Sequence, residues 1–476
     1  VHILKNEQVF ILLPLNHQFV CMFPASIYQA RRRQLATALA NQGLLLIMGN
    51  TESPMNYEDN TYPFRQDSNF LYFCGINRPG MALLLDTASG ESALYADDLS
   101  LDYQVWMGEQ PNGRTWADRA GIEHWAPFSD LRARLAAAKE VHYLPAYRAE
   151  RQLLLAEYLA TSPAAIASGA SVALIRAVIS LRSYKDALEV AEIEAALSVS
   201  ARMYARALEL CVPGETELRI AGELEGIAIA GGGRLAYPSI ISVDGHILHN
   251  HSHHNTLQAG QLLLLDTGAA SPMQYASDIT RTFPVSRSFS QQQQEIYSLV
   301  LESQLAAIDM LRPGITYREV HLATALHLCK GLVDLGLMQG DPAEAVAAGA
   351  HALFFPHGLG HMMGLDVHDM EDLGENWVGY APGQERSTQF GLRSLRLARA
   401  LEPGFVLTVE PGLYFIPILI DRWQSEGLHK SFIRYEALTQ WRNFGGIRIE
   451  DNILITEENC RILGESIPKN IETLCR

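Results

Sequence analysis

At 476 residues the chain is too long for one ordinary hydrophobic core, so two domains are expected. A formal net charge of -16 and a pI near 5.5 exclude a nucleic acid or anionic membrane as an electrostatic partner and leave small or peptide substrates open. No apolar run approaches the roughly 18 residues that span a bilayer, and the six cysteines, with no CxxC pair, read as reduced thiols of a cytoplasmic protein.

Residues 1–22 read as a tail or start extension. The apolar run at 9–15 is broken by Pro14 and no small-residue cleavage site follows it. A helix is expected over 26–41 and a strand over 43–48, then strands over 81–86 and 92–95 and a helix over 131–139. That alternation predicts an α/β amino-terminal domain, 23–175. A long helix over 186–210 stops at Pro213-Gly214. In the second domain, 176–476, helices over 290–311 and 316–335 alternate with strands that end in acidic residues. No repeat is visible, and Gly231, Gly232 and Gly233 mark a loop.

Five of these residues could hold metal. In QLLLLDTG a buried strand delivers Asp266, and a turn leads to YASDITRTFPV, where Asp278 stands near the start of a second strand. A hairpin of this kind sets two carboxylates a few ångströms apart, where they repel unless a cation or a shared proton lies between them. Either aspartate alone would read as a turn or capping residue.

The segment FFPHGLGHMMGLDVHDM places His357, His361 and His368 among glycines that permit close backbone approach, behind an apolar lead-in that argues for burial. Buried imidazoles need partners. His361 is therefore taken as a metal ligand, with His357 and His368 as donors able to polarise a carbonyl. In LEPGFVLTVEPGLYF a strand over 405–409 delivers Glu410 ahead of a Pro-Gly turn. In FGGIRIEDNILIT an alternating strand puts Arg448 and Glu450 on one face, with Ile447, Ile449 and Asp451 on the other. Four carboxylates and one imidazole make a hard, oxygen-rich set, suited to two divalent ions of the manganese type rather than to a structural zinc.

In this order and at these separations, LLLDTG, SDITRTFP, HGLGH, TVEPGLY and GIRIED resemble the proline-specific metallopeptidases of the pita-bread fold, aminopeptidase P and prolidase. The resemblance covers roughly 180–465, and NYEDNTYPFRQDSNFLYFCGINRPG is similar to the accessory domain of aminopeptidase P. It implies an α/β creatinase-like amino-terminal domain and an α+β pita-bread catalytic domain. It also implies that Asp278 and Glu450 bridge two metal ions, with Asp266 on one ion and His361 and Glu410 on the other. His249, His357 and His368 would face the substrate and stabilise its oxyanion, and Glu410 would also carry a proton. The other histidines of the loop, His246, His251, His253 and His254, read as solvent-exposed. Asp266 and Asp278 stand twelve positions apart, one more than the family pattern, which puts an extra residue in the turn near 270–273.

The family acts on peptides with proline in second position, and the resemblance implies a homo-oligomer, dimer or tetramer. Prolidase needs a cation for the free proline carboxylate, and FGLRSLRLAR offers Arg396, with Arg448 as a second candidate. Each arginine also has a reading as a structural ion pair. The accessory domain favours aminopeptidase P, the main expectation. A metal-free creatinase-like hydrolase or a non-catalytic binding module would lack ligands, whereas all five positions are filled here.

Overall fold

The computed structural model describes residues 22–475. The apolar run at 9–15 and Cys21 lie outside the described residues. The other five cysteines are unpaired, and no helix among the described residues is long and apolar enough to cross a membrane.

The amino-terminal part is built on five strands in the order His124–Ala126, Ser92–Ala96, Met81–Asp86, Leu44–Met48, Val141–Tyr143. Successive side chains of a strand point to opposite faces. Leu45, Ile47, Leu83 and Leu85 accordingly join the large core that runs through the chain, while Leu44, Leu46 and Leu84 build a separate cluster with Leu131, Leu155 and Ile166. Both faces are covered by apolar partners, which explains why LLLIM is apolar throughout rather than alternating.

Helix starts follow the sequence closely. Asp186, Ser290 and Thr316 each form a capping box with the side chain at the third helical position, opening Ala187–Leu210, Gln291–Met310 and Tyr317–Asp334. The division expected near residue 175 falls inside the helix Val172–Arg182, which packs on Ala25–Ala38 on one side and on Glu375–Gly379 on the other.

The carboxy-terminal part carries four small sheets, three of which meet at one place. Thr280–Pro284, Leu262–Asp266 and Ile240–Ser242 form the first, and Val406–Val409, Asp451–Ile455 and Cys460–Ile462 the second. Gly412–Tyr414 pairs with Gly446–Arg448, and an isolated bridge between Thr280 and Glu450 links the first sheet to the others. The sequence expected one alternating strand through Glu450. Instead the ladder breaks at Ile449 and Glu450, because the two halves pair with different strands on either side of Pro411. The expected alternation of faces survives the break: Glu450 turns toward Asp278, while Asp451 turns to Arg281, Lys469 and Gln304.

Candidate metal centre

Each acidic residue arrives at the meeting of the sheets from the end of an apolar strand. Asp266 closes its strand opposite Thr280. Asp278 lies two residues before the partner strand, its backbone N–H donating to Asn452 Oδ1 at 3.0 Å. The turn between them is tight: a Cβ on Gly268 would sit 1.8 Å from the Ser277 carbonyl oxygen, so only glycine fits there. The stretch 270–273 leads into the Ser271–Gln274 turn, where Gln274 takes a φ of 72°. Gly360, just before His361, is equally constrained, since a Cβ would meet the Thr408 carbonyl oxygen at 2.1 Å.

Ligand atoms of Asp278, His361 and Glu450 all lie within 4.8 Å of one another and are buried. His361 Nδ1 is 3.1 Å from the Met362 carbonyl oxygen, to which only an N–H can donate, so in the neutral imidazole, the form a metal binds, the lone pair is on Nε2. That Nε2 faces Asp278 Oδ2 at 3.3 Å and Glu410 Oε1 at 3.7 Å. Glu450 Oε2 accepts from Thr280 Oγ1 at 2.7 Å, while its Oε1 is buried without a hydrogen-bond partner among the described residues. Asp266 accepts from Tyr237 Oη at 2.7 Å and from Arg448 Nη2 at 2.6 Å, and Tyr237 also donates to Asp278.

Crowded carboxylates of this kind resist ionisation. Burial first, then the charges of Asp278, Glu410 and Asp266, pushes Glu450 well above the usual carboxylate range. Burial and the Asp278 and Asp266 charges, opposed by His361 and Arg448, push Glu410 up to about 7. A cation placed among these oxygens would reverse both effects and give the orphaned Glu450 oxygen a partner. The donor set, one imidazole lone pair among hard oxygens, fits divalent metal.

Of the remaining candidates, His357, His368 and Arg448 border this cluster. The His368 ring lies against that of His361, tilted by 55° with centroids 4.1 Å apart, and its Nδ1 is 3.2 Å from Glu371 Oε2. His249 lies exposed on the loop, its ring 6.5 Å from that of His251. His357 has both nitrogens engaged, Nδ1 with the Gly358 carbonyl at 2.7 Å and Nε2 with Tyr414 Oη at 2.9 Å, so direct donation to a substrate needs one bond to exchange. Arg448 is buried, with Nη1 on Tyr414, Nη2 on Asp266 and Nε on Thr280, the geometry of an ion pair. Arg396 is partly exposed and held by Glu371 and Glu375. Tyr237, Thr280, Tyr414 and Glu371 were not singled out in the sequence, since a lone tyrosine, threonine or glutamate carries no local pattern that marks it.

The model of metallopeptidase family M24 matches residues 191–457, over half of the chain. The chain belongs to that family. The aminopeptidase P amino-terminal domain model matches residues 28–143 of this metallopeptidase. It is 33% identical to the Xaa-Pro aminopeptidase of Escherichia coli (strain K12), over 94% of this chain and 97% of the relative. It is 28% identical to the Xaa-Pro dipeptidase of Homo sapiens, over 99% of this chain and 94% of that one. Zinc-substituted E. coli aminopeptidase P in complex with product superimposes with a TM-score of 0.80 at 31% identity, covering 96% of this chain and 98% of that one. The aminopeptidase PepP of Pseudomonas aeruginosa gives 0.79 at 31%, covering 95% and 98%. The metallopeptidase is thus a metallo-exopeptidase of the aminopeptidase P and prolidase group, with the two-domain pita-bread architecture.

Proposed function

We propose that this metallopeptidase is an Xaa-Pro aminopeptidase that hydrolyses the bond between an amino-terminal residue and a following proline. The observation that carries the reading is the buried convergence of Asp278, His361 and Glu450 beside Asp266 and Glu410, within a chain covered end to end by relatives named for Xaa-Pro cleavage. Asp266, Asp278, His361, Glu410 and Glu450 would hold two divalent ions, manganese by the hardness of the set. When bound, such ions supply Lewis acidity that makes water nucleophilic near neutral pH.

The chain's own groups would do the rest. Glu410, set 3.7 Å from His361 and 4.0 Å from His357, accepts the proton released by the attacking water and delivers it to the departing prolyl nitrogen. His249, and His368 when its Nε2 is protonated, offer N–H groups to the carbonyl oxygen as it gains charge, where losing one donor typically costs about 10²- to 10³-fold in rate. His357 joins them if its Tyr414 bond exchanges, and otherwise holds Tyr414 and, through it, Arg448. Arg448 keeps Asp266 in place, and of the two arginines Arg396 is the one open to substrate. Proline in second position suits a pocket that offers no acceptor for an amide hydrogen, because the Xaa-Pro bond lacks one.

The second reading, prolidase, rests on Arg396 as the cation for a free proline carboxylate, a role that its pairing with Glu371 and Glu375 opposes. A cytoplasmic location is supported by the five unpaired thiols among the described residues. A homo-oligomer is supported by the apolar surface of the helix Leu101–Met107, where Leu101, Val105, Trp106 and Met107 are all exposed. The deciding experiment is manganese-supplemented hydrolysis of Ala-Pro and Ala-Pro-Ala, with Asp278→Ala as control. Cleavage of the tripeptide supports the aminopeptidase, and cleavage of the dipeptide alone supports prolidase. If the folded, metal-bound protein cuts neither, the Xaa-Pro reading is wrong.

A further inference from the structure

Arg396 follows the short turn Leu392–Ser394, and its side chain is 32% exposed. One of its nitrogens, Nη1, is gripped by two carboxylates at once, Glu371 Oε2 at 2.5 Å and Glu375 Oε1 at 2.8 Å. Its Nε and Nη2 make no hydrogen bond among the described residues. Glu371 Oε2 is the same atom that lies 3.2 Å from His368 Nδ1, and the His368 ring borders that of the ligand His361. The arginine is therefore tied through one shared carboxylate to the edge of the metal centre. Glu375 is its other partner, and Glu375 also holds Arg386 Nη2 at 2.5 Å without touching His368.

A guanidinium matches a carboxylate because it brings a positive charge as well as a planar fork of donors. At Arg396 two anions already balance that charge. The free carboxylate of an Xaa-Pro dipeptide would enter as a third anion and be repelled by Glu371 and Glu375. The carbonyl of a longer peptide is neutral, escapes that repulsion and can still accept from Nε or Nη2. The two substrates differ in that carboxylate, so the counter-ions bear directly on substrate length.

We propose that Glu371 and Glu375 form a counter-ion latch on Arg396 that disfavours free proline carboxylates and selects peptides longer than two residues. Glu375 is the specificity-determining member that can be altered without disturbing His368. The inference rests on the Xaa-Pro reading of the metal centre.

The test compares kcat and KM for Ala-Pro and Ala-Pro-Ala in the manganese-loaded wild type, Glu375→Gln, Glu375→Asp and Arg386→Gln. In Glu375→Gln the dipeptide KM falls about three- to ten-fold with little change in kcat, while the tripeptide constants stay within about two-fold. Glu375→Asp restores the wild-type preference. Arg386→Gln releases Glu375 to Arg396 alone and moves the dipeptide KM upward. A KM ratio that stays put in Glu375→Gln and Arg386→Gln, or that moves equally for both peptides, overturns the latch while leaving the Xaa-Pro reading intact. A folded, metal-bound wild type that cuts neither peptide overturns both.

Discussion

Thr280 donates its hydroxyl to Glu450 Oε2 at 2.7 Å, across the backbone bridge that joins the aspartate-bearing sheet to the glutamate-bearing strand. The same hydroxyl accepts from Arg448 Nε at 3.1 Å. One small side chain thus orients a carboxylate of the metal centre and a buried guanidinium together. Thr280→Val keeps the shape and removes the hydroxyl, leaving a buried donor and a buried acceptor without partners. It is expected to cost about 1–3 kcal/mol in urea unfolding and to weaken manganese binding. Unchanged stability and affinity would show that Thr280 is incidental.

Glu450→Gln separates metal binding from folding. It should abolish high-affinity manganese binding, because one of the carboxylates proposed to hold the ions becomes a neutral amide. In chelator-treated protein the same change removes one of four crowded carboxylates, so the metal-free variant should be more stable than the metal-free wild type, by about 1–2 kcal/mol. Thermal unfolding with and without chelator distinguishes the two effects, and a less stable metal-free variant would contradict the crowding argument.

For the wild type, metal and folding should be linked. Saturation at one hundred times the dissociation constant adds about 2.7 kcal/mol per site, so chelation should lower the unfolding temperature and manganese should restore it. An unfolding temperature indifferent to both would mean that the five residues do not bind the ion.

Acid stability should be governed in part away from the metal. His321 and His351 are buried, their ring centroids 6.4 Å apart, and none of their nitrogens finds a partner among the described residues. Burial holds His321 down to about 3 and His351 to about 4. Their folded values lie below the unfolded value of about 6.5, so the unfolded chain binds the extra protons. Stability is then full above about pH 6.5 and lost as pH falls from there toward about 4 and then 3. From pH 7 to pH 5 the two together should cost about 2–4 kcal/mol. His321→Leu should remove about half of that pH dependence in urea titrations at the two pH values, and an unaltered slope would contradict this assignment.

The loop that carries His368 depends on buried charge. Asp369 accepts from Arg182 Nη2 at 2.6 Å and from Lys185 Nζ at 2.8 Å, all three side chains almost fully buried. Asp369→Ala leaves Lys185 without a carboxylate and Arg182 with Asp366 as its remaining one, at 3.2 Å, and is expected to destabilise the protein by about 3–5 kcal/mol. A loss below about 0.5 kcal/mol in thermal or urea unfolding would mean that the two cations find other partners.

What could be read from the sequence followed local pattern. Asp266, Asp278, Glu410 and Glu450 stood out because each interrupts an apolar strand, and such strands are periodic over a few residues. The helix starts near Asp186 and Thr316 were readable for the same reason. Tyr237, Thr280 and Tyr414 were not, because their roles exist only through partners more than a turn or a strand away, as when Tyr237 reaches Asp266 and Asp278 together. The break at Ile449 escaped as well: alternation fixes which face a side chain takes but says nothing of which strand lies alongside.

The most direct test is to titrate manganese into chelator-treated protein while measuring free alanine released from Ala-Pro-Ala and from Ala-Ala-Ala. The account predicts alanine release from the proline peptide that rises with bound metal and is lost in Glu450→Gln, with little from the other. Folded protein that binds manganese and releases no alanine from Ala-Pro-Ala, or that cuts both peptides equally, would contradict it.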